Sequence, residues 1–249
     1  MDIQESLDLL REIVRGSDNI VFFGGAGVST ESNIPDFRSE HGLYRAKNKY
    51  GYEPEVILSH TFFERRPEEF FDYDLHELAY PDAKPNDAHY ALAKLEEQGK
   101  LKAVVTQNID GLHQLAGSKN VLELHGSVQR NYCLNCHAAY DMQFMLQFRD
   151  TESHIPHCLD CGGVVRPDVV LYEESLDSRI LYEAEKVISE ADVLIVGGTS
   201  LVVYPAAGLV HYFSGSKLVL INKSETSFDS RADLVIHDSI GKALKYAVS

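Results

Sequence analysis

Basic residues are scarce in this chain. Lysine and arginine number 23 against 38 aspartates and glutamates, a formal net charge of −15 over 249 residues. Nucleic-acid binding through phosphate contacts needs the opposite sign, so that class is set aside. An acidic surface serves solubility and tolerates lysine-rich partners. Long apolar runs are missing too. The longest, "DVLIVGGTSLVV" at 192–203, is broken by glycines and falls short of a transmembrane helix. The opening "MDIQESLDLLREIVRG" is acidic at its start, unlike a secretory signal. Its Ile3, Leu7, Leu10, Ile13 and Val14 recur at helical spacing and predict a packed helix. No membrane association is expected, and the expected compartment is the cytoplasm. Cysteine occurs only four times. A disulfide framework belongs to small secreted domains, so these four are expected to be metal ligands or reduced thiols. Neither internal repeats nor low-complexity segments are present.

Hydrophobic residues make up 44% and charged residues 24%, as in a globular protein. Short, nearly continuous β-branched runs occur at 20–24, 101–107, 121–124, 192–198, 217–222 and 232–237. Strands buried on both faces read this way. Helical patterns separate them at 2–15, 87–97, 179–190, about 205–213 and 239–247. The alternation predicts an α/β fold: a Rossmann-like parallel sheet with helices on both faces. Two stretches break the rhythm. Residues 39–80 are rich in aromatics and charge, and predict a loop followed by short helices. Residues 126–170 hold every cysteine. The expected division is therefore 1–38, 81–125 and 171–249 for the sheet domain. The insertions 39–80 and 126–170 would form a smaller lobe, one part helical and one part a cysteine module.

Cys133 and Cys136 form one C-x2-C pair, Cys158 and Cys161 the other, with 21 residues between the pairs. Each such turn brings two thiolates to the spacing of a tetrahedral edge, and two turns complete a closed Zn²⁺ site. With all four positions filled by cysteine there is no place for a metal-bound water, so the expected metal is structural, one ion per chain. Gly162 and Gly163 suit the second turn, and His137 and His157 are not needed as ligands.

The stretch "FFGGAGVSTESNIPDFR" at 22–38 starts as a strand and breaks into glycines. A dinucleotide fingerprint counted from Gly25 and Gly27 needs glycine at position 30, where Thr30 stands. It also needs an acidic residue at the end of a following strand, and no strand follows. The Gly-Lys-Ser/Thr ending of a Walker loop is missing as well. Taken alone, the stretch is either a weak dinucleotide loop or a plain tight turn.

Other strand ends alter that balance. "TQNIDGLH" (106–113), "ELHG" (123–126), "GGTSL" (197–201) and "INK" (221–223) place polar groups at the carboxyl ends of four more strands. Open α/β sheets bind ligands at that edge.

With these motifs in order, the chain resembles the sirtuins, NAD-dependent protein-lysine deacylases, and its bacterial members in particular. "GAGVS", "IPDFR", "TQNIDGLH", "LHG", the two C-x2-C pairs, "RPDVVLYEE", "GTSLVVYPA" and "INK" carry the likeness, from about residue 18 to 240. The resemblance implies that NAD is a co-substrate held between the sheet domain and the zinc-bearing lobe. Gly25, Ala26 and Gly27 would wrap its pyrophosphate with backbone N–H groups, aided by the helix N-terminus that follows. Thr30, Asp36, Phe37 and Arg38 would line the phosphate and nicotinamide side. Gln107, Asn108, Ile109 and Asp110 would form the nicotinamide pocket and hold the ribose. Gly198, Thr199, Ser200, Asn222, Lys223 and the backbone near Ile240 would bind the adenosine half.

His125 would be the general base and Asn108 its catalytic companion. The implied chemistry expels nicotinamide, joins the acyl oxygen to the ribose and yields free lysine and O-acyl-ADP-ribose. An acylated-lysine peptide would pair as an added strand with backbone near Glu173 and Glu174 and near Val203. Phe37, His125, Val170, Tyr172 and Val203 would line the acyl-lysine tunnel. The expected chain is a monomer.

Three departures from the family pattern stand out. Asn33 replaces a common glycine, and asparagine tolerates a left-handed turn. Tyr172 and Glu173 replace a common Phe-Gly, which puts a hydroxyl at the tunnel mouth and a carboxylate where close backbone approach is usual. Asp36 and the lack of a Tyr-Arg pair for an acyl carboxylate imply uncharged acyl groups, acetyl first. Protein ADP-ribosylation and a non-catalytic NAD-sensing module are the competing readings.

Overall fold

A computed structural model of the chain describes residues 2–36, 47 and 49–249. Six parallel strands form its main sheet: β1 Ile20–Gly24, β2 Leu101–Thr106, β3 Val121–Glu123, β7 Val193–Gly197, β8 Lys217–Ile221 and β9 Leu234–Ile236. Their order is β3-β2-β1-β7-β8-β9. All six lie within the runs read from the sequence. The order reverses between β1 and its neighbours, and that reversal opens a crevice at the carboxyl ends.

The strands are apolar throughout because both faces are covered. In β1, Ile20 and Phe22 enter one cluster, while Val21 and Phe23 enter the other. The first cluster is closed by the helices Ile3–Gly16, Asp87–Glu97 and Ile240–Ala247, which supply Leu10, Leu92 and Leu244. The second is closed by Ser178–Glu190 and by the turns of Ala206–Tyr212. Local chemistry fixes where these helices begin. Asp2 and Glu5 form a reciprocal capping box, Asn86 accepts from the N–H of Ala88, and the side chains of Asp177 and Ser239 cap the last two.

The helix expected near 205–213 is instead a 3₁₀ stretch, Ala206–Tyr212. Pro205 precedes it and Gly208 interrupts it, and both weaken α-helical propensity. The region 126–170 holds a second, antiparallel sheet that was not among the expected strands. Its strands β4 Gly126–Cys133, β5 Ala139–Asp141 and β6 Val165–Val169 are antiparallel in the order β5-β4-β6. These strands are half exposed and carry polar residues, so no apolar run marks them.

Short helices at Pro54–Ile57, His60–Arg65 and Pro67–Tyr73 fill the earlier insertion, ending in a π turn at Asp74–Leu78. Phe63, Phe70 and Phe71 meet edge to face, with ring centroids 5.0–5.9 Å apart. They share one buried cluster with Phe144, Met145, Val165, Cys133 and Cys158. Two segments far apart in sequence are thus packed on each other. Among the described residues, no helix is long and apolar enough to cross a membrane.

Candidate active site

The parallel register brings the polar strand ends level. Gly24 pairs with Thr106 on one side and Gly197 on the other; Thr106 pairs with Glu123, and Gly197 with Ile221. The loops that follow these residues therefore meet at one edge, across the point where strand order reverses.

Glycines let two of these loops touch backbone to backbone. A Cβ on Gly27 would lie 2.7 Å from the Cα of Gly198, and one on Gly198 would lie 2.4 Å from the amide nitrogen of Val28. Gly198 also has φ +61°. The N–H of Gly27 donates to the carbonyl of Gly198 (2.8 Å), and that of Gly25 to Gly197 (3.3 Å). In this structure, these two N–H groups are committed to the facing loop. The N–H of Ala26 has no partner among the described residues. The segment after the loop differs from expectation. It forms two three-residue 3₁₀ turns, Ala26–Val28 and Thr30–Ser32, and then stops at Asn33, which is left-handed at φ 61°. Thr30 Oγ1 ties back to the carbonyl of Gly27 (2.9 Å). Asp36 is partly buried, and Phe37 and Arg38 lie outside the described residues.

A polar relay crosses from this loop to the end of β2. Asn108 Nδ2 donates to Ser29 Oγ (3.1 Å), and Ser29 Oγ donates to Asp110 Oδ2 (2.7 Å). Asp110 Oδ1 accepts from the N–H of Leu112 (2.9 Å). Burial raises the pKa of Asp110, while these two donors act to lower it. Ser29 is buried and was not singled out from the sequence, although it stands in "GAGVS". Ile109 turns the other way. It packs against Ala79, Val128 and Met142, and its carbonyl accepts from the N–H of Val128.

Gln107 joins three loops. Its N–H donates to Gly24, its Nε2 donates to Thr199 Oγ1 (3.0 Å), and its carbonyl accepts from His125 Nδ1 (2.9 Å). A carbonyl can only accept, so Nδ1 carries the proton and Nε2 keeps its lone pair. Burial lowers the pKa of His125, and the bond to Gln107 only partly offsets this. The ring is therefore a neutral base of fixed tautomer. The carbonyl of His125 in turn accepts from the N–H of Val170 (3.0 Å).

On the far side of β7, Asn222 Oδ1 accepts from the N–H of Thr199 (2.9 Å). Asn222 Nδ2 is buried with no partner. A buried amide left with free donors fits a ligand that supplies acceptors. Ser200 and Lys223 are exposed at the rim. The side chain of Ile240 is buried in the core, so only its backbone faces any ligand role.

The segment after β6 packs on the short helices of the earlier insertion. Tyr172 donates its N–H to Leu58 and accepts from the N–H of His60 at its carbonyl. Glu174 is built into this frame. Its carboxylate accepts from Arg166 Nη1 (2.8 Å), from the N–H of Leu171 (2.9 Å) and from His60 Nδ1 (3.0 Å), and its own N–H closes on Leu171. Its carboxylate and N–H are thus spent on the frame, while its carbonyl has no hydrogen-bond partner among the described residues. Glu173 is exposed with φ +76°. Tyr172 is exposed, while Val170 and Val203 are partly buried.

The four cysteines meet. Their sulfurs all lie within 4.8 Å of one another, with Cys133–Cys161 and Cys136–Cys158 at 3.5 Å. Zn–S bonds of about 2.3 Å put tetrahedral sulfurs about 3.8 Å apart, so the cluster fits zinc. The two turns are alike. Cys133 N–H bonds Ala138 and His137 N–H bonds Cys133; Cys158 N–H bonds Gly163 and Gly162 N–H bonds Cys158. His137 and Gly162 occupy matching left-handed positions, at φ 60° and 73°. Neither His137 nor His157 joins the cluster. Tyr140, which no sequence pattern marked, donates its hydroxyl to Cys158 Sγ (3.1 Å) and accepts from the N–H of Leu159 (2.9 Å).

Known proteins resemble this chain over nearly its whole length. The pattern of the Sir2 family matches residues 25–205. A Clostridium acetobutylicum NAD-dependent protein deacetylase is 62% identical over 248 residues, all of both chains. A Staphylococcus aureus protein of the same description is 45% identical over 98% of each chain. Among solved structures, a Sir2 enzyme superposes with a TM-score of 0.86 at 42% identity, covering 98% of this chain and 97% of its own. A complex of Sir2 with a p53 peptide and NAD+ gives 0.83 at 42% identity, over 98% and 96%.

Proposed function

The chain belongs to the Sir2 family, and on that premise we infer that its sheet-edge cleft removes acyl groups from protein lysines with NAD as co-substrate. It is an NAD-dependent protein deacetylase. One observation carries the mechanism: the imidazole of His125 is held neutral, with its lone pair at Nε2, by the carbonyl of Gln107.

NAD supplies the electrophilic ribose carbon from which nicotinamide leaves. The chain's residues bind, orient and deprotonate around it. Ala26 offers an uncommitted N–H beside the glycine loop for a phosphate oxygen. Asn222 Nδ2 offers a buried donor for the adenosine half. Asn108 and Asp110, fixed through Ser29, hold the nicotinamide end. His125 Nε2 takes a proton from a ribose hydroxyl, a task suited to a base near neutrality. Val170, whose N–H is fixed on His125, and Val203 flank the acyl-lysine, with Tyr172 at the mouth. The peptide adds as a strand to backbone at Glu173 and near Val203.

Cys133, Cys136, Cys158 and Cys161 would hold one structural zinc ion and so tie the turn after β4 to the turn before β6. Residues 1–38, 81–125 and 171–249 then act as the NAD-binding domain, and 39–80 with 126–170 as the lobe that closes on it. The reaction belongs in the cytoplasm, where NAD is present and thiols stay reduced. Acetyl and other uncharged acyl groups are the expected cargo.

Mass spectrometry of an acetyl-lysine peptide tests this. Wild-type protein with NAD should strip the acetyl group, and His125→Ala should not. Transfer of ADP-ribose to protein with the acetyl group retained, or full activity in His125→Ala, would refute it.

A further inference from the structure

Glu173 combines two features that do not ordinarily occur together. It is a non-glycine residue held left-handed at φ +76°, which strains a residue with a Cβ. Its carboxylate is nonetheless engaged: Oε2 accepts from the N–H of Thr61 (2.9 Å) and from Thr61 Oγ1 (2.7 Å). Thr61 lies in the first turn of the helix His60–Arg65, whose N-cap is Ser59. The two donors hold the carboxyl below its usual range, so the clasp is ionised across neutral pH.

The clasp closes a seam between the helix His60–Arg65 and the segment after β6. Ser59 and Tyr172 form a parallel bridge, and Tyr172 spends its N–H on Leu58 and its carbonyl on His60. On the far side Glu174 is pinned by Arg166 and His60. Glu173 differs from both neighbours. Its own N–H and carbonyl take no hydrogen-bond partner among the described residues. The turn is therefore gripped before and after one residue whose backbone pair stays open. The side chain of that residue is drawn aside onto Thr61.

We propose that Glu173 is a positioning residue for peptide substrate: its carboxylate clasps Thr61 and so presents the N–H and carbonyl of residue 173, preformed, for pairing with the acyl-lysine peptide. This rests on the reading that the cleft takes an acylated peptide as an added strand. Preforming the edge lowers the ordering cost of binding, and its effect falls on peptide affinity, not on the chemical step.

Steady-state kinetics with an acetyl-lysine peptide separates the clasp from the strain. Glu173→Gly removes the carboxylate and relieves the left-handed strain; Glu173→Ala removes the carboxylate and keeps the strain. Both should raise peptide KM roughly three- to tenfold, with kcat and the KM for NAD moving less than twofold. Thr61→Val should give part of that rise, and Glu173→Gln should recover part of the loss. The double variant Thr61→Val/Glu173→Gly should be no worse than Glu173→Gly alone, since both remove one interaction. An unchanged peptide KM in Glu173→Gly overturns the proposal while leaving the deacetylase reading intact. So does a rise seen only in Glu173→Ala, which would assign the effect to backbone strain. Wild-type protein that binds the peptide but never deacetylates it with NAD would instead overturn the functional reading.

Discussion

The Nδ1 of His125 lies 2.9 Å from the carbonyl oxygen of Gln107, and the same Gln107 reaches Thr199 with its side chain. One residue therefore sets the tautomer of the base and ties it to the loop that follows β7. The His125 ring is oriented by the backbone of the neighbouring strand end.

The pH profile should show this environment. Burial lowers the pKa of His125 below the ordinary histidine value of 6.5. The neutral ring is the active form, so activity is retained above that lowered value and lost as pH falls through it. The acid limb of kcat/KM should have an apparent pKa below about 6.5 and should vanish in the residual activity of His125→Ala. The rate of that variant should fall by about 10²–10⁴-fold.

Ser29→Ala should damage both ends of the relay. Asn108 loses an acceptor and Asp110 loses a donor in a buried place. Leaving such groups unpaired costs about 1–3 kcal/mol. The expected outcome is a raised KM for NAD with a folded protein, read by nucleotide titration and circular dichroism. Wild-type NAD affinity in this variant would show that the relay does not shape the pocket.

Gly27→Ala tests the contact between loops. The new Cβ would fall 2.7 Å from Gly198 Cα, backbone against backbone, so a loop must move. Overpacking of this kind costs about 1–3 kcal/mol, and the thermal midpoint and NAD binding should fall together.

The zinc cluster should fail in two degrees. Cys133→Ala should lose the metal and the cooperativity of unfolding in the cysteine-bearing lobe. Tyr140→Phe should keep the metal but release it to a chelator about 10–100-fold sooner, because Cys158 loses its hydroxyl donor. Metal analysis showing about one zinc per wild-type chain is the baseline.

Acid should destabilise the fold at a buried histidine pair. His89 and His113 are buried with ring centroids 4.7 Å apart, and three of their four ring nitrogens have no partner. Burial lowers their pKa values to about 4 and about 3. The unfolded chain thus binds protons first. Stability is fully present above about pH 6.5 and lost as pH falls toward 4. Denaturant midpoints should drop between pH 7.5 and 5, and less so in His113→Phe, which keeps an aromatic ring beside Phe22.

Much of this was written locally. The six parallel strands were legible because burial on both faces demands unbroken apolar runs, as in Ile20–Gly24 and Val193–Gly197. The cysteine site was legible because two C-x2-C turns have few other uses. The left-handed turn at Asn33 followed from residue type. The strands of 126–170 were not legible, because half-exposed antiparallel pairs carry no apolar run and their register depends on the cysteine turns. Nor was the relay: Ser29 and Asp110 are 81 residues apart, and only the parallel pairing of β1 and β2 makes them neighbours.

By itself, the sequence determined the fold class, the metal site and the set of strand ends where chemistry would gather, since each rests on periodicity or on spacing within a short segment. Tertiary structure alone decided how those residues work. It committed the N–H groups of Gly25 and Gly27 to the facing loop, fixed the proton of His125 on Nδ1, drew Glu174 into the frame and turned the carboxylate of Glu173 onto Thr61. Hydrogen bonds between segments far apart in the chain depend on register and lobe packing, and neither is encoded in any one stretch.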